Sequence, residues 1–96
     1  MGFGGVYIHT TDTLICENDL VCIHEEGHRL DNYLGYPSQT EAFENAVDQF
    51  PLLANVDNTC IIKTRSCKYS EAYANLYMVV LGDIDKMPED FREYYR

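Results

Sequence analysis

The sequence predicts an α+β fold in a single domain over residues 1–96, with a short N-terminal β-hairpin packed on a helix and three further helices after it. Three observations carry this expectation. Two short β-prone runs near the start are separated by a turn. Four later stretches show helical apolar spacing and are bounded by capping or breaking residues. A chain of 96 residues makes one domain at most.

Residues 4–9 and Thr13 to Cys16 read as strands joined by a turn at Thr10 to Asp12. Two strands alone are marginal in water, so they need the following helix as a packing surface. The first strand, through Val6, Tyr7 and Ile8, would present an edge on which an extended peptide can be held as an added strand. His9 falls at the strand end.

Leu20, Ile23, Gly27, Leu30 and Leu34 recur at the spacing of a buried helical stripe. Asn18 or Asp19 can cap the start, Gly35 suits a left-handed C-terminal cap, and Pro37 blocks continuation. Ser38-Gln39-Thr40-Glu41 then fits a capping box, with Phe43, Ala46, Val47 and Phe50 as the next stripe and Pro51 as its stop. A loop over 52–58 and a brief strand or buried loop at 60–62 follow. Ser66 or Ser70 can cap a third helix, with Tyr73, Leu76, Tyr77 and Val80 as its stripe and Gly82 as its end. Asp83 to Met87 reads as a polar connection. Pro88 suits the start of a closing helix pinned by Phe91, Tyr94 and Tyr95.

The chemistry gathers at His24-Glu25-Glu26-Gly27-His28. On a helix the two histidines lie one turn apart on one face, where both imidazoles can reach one metal ion. Glu25 sits about 100° further round, placed to act as a general base without being a ligand. Both histidines fall at the border between the apolar stripe and solvent. That spacing is the one used by zinc metallopeptidases. A third ligand is needed, and Glu71 is a candidate; the plainer account of Glu71 is a carboxylate favouring the positive end of a helix dipole. Glu41 has a structural role in the capping box. Asp31, one turn beyond His28, can orient an imidazole or the following loop.

Sixteen acidic residues against seven basic give a formal charge of −9, which argues against nucleic acid as a partner. The few basic residues gather mainly at Lys63, Arg65 and Lys68, as a solvated loop. No run is long enough to span a bilayer and no basic-then-apolar leader opens the chain, so a soluble protein without membrane partners is expected. If the chain is a piece of a longer protein, that protein is expected to be secreted. Cys16, Cys22, Cys60 and Cys67 allow three pairings and no Cys-x-x-Cys pair occurs, so a structural role is expected for all four. Cys22, about 200° from His24 on the helix, should point away from a metal.

Taken with Glu71, the chain resembles the zincin metallopeptidases that use a glutamate as third ligand, and most closely the anthrax lethal factor type catalytic domains and the related Pro-Pro endopeptidases. The resemblance is carried by His24-Glu-Glu-Gly-His-Arg-Leu-Asp31 with Gly35, by Glu71-Ala-Tyr-Ala-Asn-Leu-Tyr77, and by Pro88-Glu-Asp-Phe-Arg-Glu-Tyr94. It implies a minimal zincin-like domain and a zinc endopeptidase acting on polypeptides, with His24, His28 and Glu71 as Zn2+ ligands and Glu25 as general base. The family's acidic residue four positions after the ligand glutamate is Asn75 here. Its transition-state tyrosine, seven positions before that glutamate, is Thr64; Tyr69 or Tyr73 can replace it only with a different loop arrangement. The alternative from another class is a non-catalytic zinc-binding interaction module derived from a peptidase.

Overall fold

The computed structural model describes residues 5–8, 10–50 and 65–96. The expectations placed on Gly4, His9, the 52–58 loop, the 60–62 strand, Cys60, Lys63 and Thr64 lie outside the described residues. Strand β1 (Gly5–Ile8) pairs antiparallel with β2 (Thr13–Cys16), in a register running from Gly5 opposite Cys16 to Ile8 opposite Thr13. Asp12 turns the chain with φ 51°, a left-handed conformation that a short polar side chain tolerates. Alternation turns Gly5, Tyr7, Leu14 and Cys16 to one face. That face packs on helix α1 (Asp19–Tyr33), so closely that a Cβ on Gly5 would run into the Val21 side chain.

Helix α1 begins and ends as its sequence dictates. The Asn18 carboxamide oxygen accepts from the Val21 N–H at 2.9 Å. At the other end Gly35, at φ 82°, donates to the Asn32 carbonyl and Tyr36 donates to the Asp31 carbonyl at 2.7 Å, which is a Schellman closure. The buried stripe is narrower than expected. Leu20 is 53% exposed in the first turn, and Leu34 is also exposed beyond the last, while Ile23 and Leu30 are half-buried.

Three tethers hold the hairpin to α1. Cys16 and Cys22 form a disulfide with their Cα atoms 5.3 Å apart, joining the end of β2 to the first turns of the helix. Arg29 donates from Nε and Nη2 to the two oxygens of Asp12 at 2.9 and 3.0 Å. The Tyr7 hydroxyl donates to Asp12 and accepts from the Asn32 amide. Cys67 is also disulfide-bonded.

Helix α2 (Glu41–Asp48) corrects the expected capping box. Its N-cap is Thr40, whose hydroxyl accepts from the Phe43 N–H, and not Ser38. Ser38 lies in a 3-10 turn (Pro37–Gln39), fully buried, and gives both its backbone N–H and its hydroxyl to the Asp31 carboxylate. Glu41 is exposed in the first turn of α2 and is not in the group that His24, His28 and Glu71 form. Phe50 falls beyond the helix and meets the Phe91 ring at 5.3 Å.

Helix α3 (Arg65–Val79) starts earlier than its sequence suggests. Ser66 and Ser70 therefore lie inside it rather than at its cap, and Glu71 is the seventh of its 15 residues rather than part of the first turn. Its end resembles that of α1, with Leu81 donating to the Met78 carbonyl and Gly82 to the Tyr77 carbonyl. The first left-handed position is taken by Leu81 at φ 54°, followed by Gly82 at φ 76°.

A 3-10 turn (Ile84–Lys86) leads to helix α4 (Glu89–Arg92), with Pro88 at its N-cap. Met87, read from sequence as part of a polar connection, is buried in the core. That core joins Phe43 and Val47 of α2, Tyr69, Ala72, Tyr73 and Leu76 of α3, and Phe91 and Tyr95 of the closing segment. Tyr95 stacks on Tyr73 at 3.9 Å and donates its hydroxyl to the Tyr73 carbonyl. The fold is α+β, with one two-stranded antiparallel hairpin and four α-helices among the described residues.

Candidate metal centre

Helices α1 and α3 cross with Gly27 against Ala74 and Tyr77. His24 lies three residues before Gly27 on α1 and His28 one residue after it, and the turn of α3 before Ala74 carries Glu71. His24 Nε2 lies 2.9 Å from Glu71 Oε2, and His28 Nε2 lies 3.2 Å from Glu71 Oε1. The two rings stand edge-on, with centroids 5.0 Å apart. Among the described residues these three form a group whose ligand atoms all fall within 4.8 Å of one another.

The electrostatics of the group follow from partial burial and close approach. Burial alone would raise the Glu71 carboxyl, but the hydrogen bonds and charges of His24 and His28 outweigh it and bring its pKa down to about 2. Burial pushes His28 down, yet the Glu71 hydrogen bond and the charges of Glu71, Glu25 and Asp31 raise it overall. Glu25 is 7% exposed, and burial lifts its pKa above the usual carboxylate range despite the two histidines and a backbone hydrogen bond from Tyr7. A carboxylate shifted toward neutrality beside two imidazoles suits proton transfer.

The chain matches no protein-family model, no curated protein and no solved structure. What the site can do rests on its own geometry.

Two imidazoles and one carboxylate, brought together from two helices whose backbones pack in contact, are a donor set that could hold a metal ion. Cys22 takes no part, since its sulfur is bonded to Cys16. Asp31 holds the turn after α1 through Ser38, and burial raises its pKa despite the Ser38 hydrogen bonds. Of the two jobs its position allowed, it performs the one on the loop. Asn75, half-buried, stands one turn along α3 from Glu71 on the same side.

The structure does not bring Tyr69 or Tyr73 to this cluster. Each is two residues from Glu71, about 200° around α3, and so faces the core. Tyr69 donates its hydroxyl to Asp48 and Tyr73 to the Tyr94 carbonyl. Sequence reading missed Ser70, whose Oγ lies 3.2 Å from His28 Nδ1. Its position immediately before Glu71 was the available signal, and its reading as a helix cap concealed it.

No helix among the described residues is long and apolar enough to cross a membrane.

Proposed function

We propose that this chain is a zinc-dependent endopeptidase built on a minimal zincin-like domain. The observation that carries the reading is the convergence of His24, His28 and Glu71 from two helices, with buried Glu25 next to the first histidine. His24 and His28 through Nε2, and Glu71 through its carboxylate, would hold the ion. When bound, zinc lowers the pKa of a water toward neutrality and polarises a peptide carbonyl.

The chain's own residues supply the rest. Glu25 takes a proton from the attacking water and returns it to the leaving amine, a two-way role favoured by its raised pKa. The Tyr7 backbone N–H steadies its carboxylate. A polypeptide substrate would lie along β1 at Val6, Tyr7 and Ile8, the strand whose Tyr7 backbone meets Glu25.

One observation favours the second reading, a zinc-binding interaction module without catalysis. The hydroxyls of Tyr69 and Tyr73 are both committed away from the cluster, so neither is placed to steady a tetrahedral intermediate. Zinc content of chelator-stripped, reconstituted protein, followed by a peptide-library digest of the parent and Glu25→Gln, separates the cases. Stoichiometric zinc, with products from the parent and none from Glu25→Gln, supports the endopeptidase. Zinc without products leaves the binding module, and a parent that takes up no zinc removes both.

A further inference from the structure

The two ring nitrogens of His28 face two consecutive residues of α3. Nε2 lies 3.2 Å from Glu71 Oε1, and Nδ1 lies 3.2 Å from Ser70 Oγ. A metal in this cluster needs the Nε2 lone pair, and a neutral imidazole that offers it carries its proton on Nδ1. A serine hydroxyl can accept that N–H. Local helix chemistry gives no reason for a serine here, because Ser70 is the sixth of 15 residues in α3, where alanine is the better helix former. Asp31 instead accepts from the Ser38 backbone and side chain, and the group that meets His28 Nδ1 is the Ser70 hydroxyl.

We infer that Ser70 is a positioning residue for the metal centre: its hydroxyl accepts the Nδ1–H of His28 and so fixes both the ring's orientation and the tautomer that turns Nε2 toward the ion. The inference rests on the metal-binding reading above. It also makes Ser70-Glu71 a single unit, in which one residue aims a ligand on α1 and the next supplies a ligand of its own.

The test is zinc affinity, by competition with a chromophoric chelator at fixed pH, for the parent, Ser70→Ala and Ser70→Thr. Removal of such an outer partner weakens metal binding about 10- to 100-fold. Ser70→Ala is expected to show that loss with the thermal unfolding of the metal-free protein unchanged, and Ser70→Thr, which keeps the hydroxyl, to bind zinc as the parent does. Nitrogen-correlated NMR of the zinc-loaded parent should show the His28 Nδ1 proton protected from exchange, and Ser70→Ala should lose that protection. A parent that binds zinc with Ser70→Ala equally tight, or with Ser70→Thr as weak as Ser70→Ala, overturns the inference alone. A parent that binds no zinc overturns it together with the metal reading.

Discussion

Gly27 and Ala74 set the separation of the two helices that carry His24, His28 and Glu71: a Cβ on Gly27 would stand 2.8 Å from the Ala74 Cα and 3.3 Å from its Cβ. Because His24 and His28 flank Gly27 and Glu71 precedes Ala74 by one turn, this contact governs whether the three side chains meet. Helix propensity favours Gly27→Ala by about 1 kcal/mol. The clash is with backbone, which cannot swing aside, and overpacking of this kind costs about 1–3 kcal/mol. Gly27→Ala is expected to lower the thermal midpoint and weaken zinc binding while leaving every ligand in place. A higher midpoint with unchanged zinc affinity would show that the helices part without consequence.

Glu71 and Glu41 separate the ligand from the bystander. Glu71→Ala should reduce zinc affinity by about 100-fold or more, beyond the loss expected for an outer partner. Glu41, exposed at the start of α2, should leave zinc affinity unchanged when replaced by alanine. Competition titrations of both variants check this, and the reverse pattern would reassign the third ligand.

The pH dependence of stability should change sign when zinc is added. His28 is raised above its ordinary 6.5 in the metal-free protein, so its contribution is complete below pH 6.5 and is lost as pH rises through the raised value. Glu25, raised from 4.5 by burial, is lost in the same direction. Glu71, lowered from 4.5 to about 2, loses its contribution only as pH falls between those values. The metal-free protein should therefore weaken as pH climbs past 6.5. Zinc needs deprotonated imidazoles, so the loaded protein should strengthen over the same range. Urea midpoints measured with zinc and with chelator check the reversal, and parallel slopes would argue against histidine ligation.

Asp31 and Ser38 form a buried pair whose loss is structural. Asp31→Ala leaves the Ser38 N–H and hydroxyl without their acceptor, at a cost of about 1–3 kcal/mol per unsatisfied group. The expected result in denaturant unfolding is a clear loss of stability with zinc stoichiometry retained.

Leu81 holds a left-handed conformation that costs a branched side chain about 1 kcal/mol, and it is 63% exposed, so little packing is lost with it. Leu81→Gly should stabilise the protein by a similar amount in the same assay. A loss instead would mean that the leucine side chain makes a contact worth more than its strain.

These outcomes bear on what a sequence can announce. The hairpin, the α1 boundaries and the His24/His28 pair were legible because local rules determine them: strand alternation, the Asn18 cap, the Gly35 closure and one helical turn. Thr40 displaced Ser38 as cap because Asp31, seven residues back, claims both Ser38 donors. No local pattern carries that competition. The start of α3 was misplaced because Ser66 and Ser70 both look like caps, whereas one of them answers to a histidine 42 residues away. Met87 entered the core from a segment with no period at all, brought there by the 3-10 turn before it.

The Cys16–Cys22 bond ties the end of β2 to α1 two residues before His24. A thiol reductant in the buffer would open this link and the disulfide at Cys67 and, on the proposed reading, would also compete as a thiolate for zinc, whereas a phosphine reductant would only open the disulfides. Preparations kept in the two reagents are chemically different samples, and metal content should be compared only between samples handled alike.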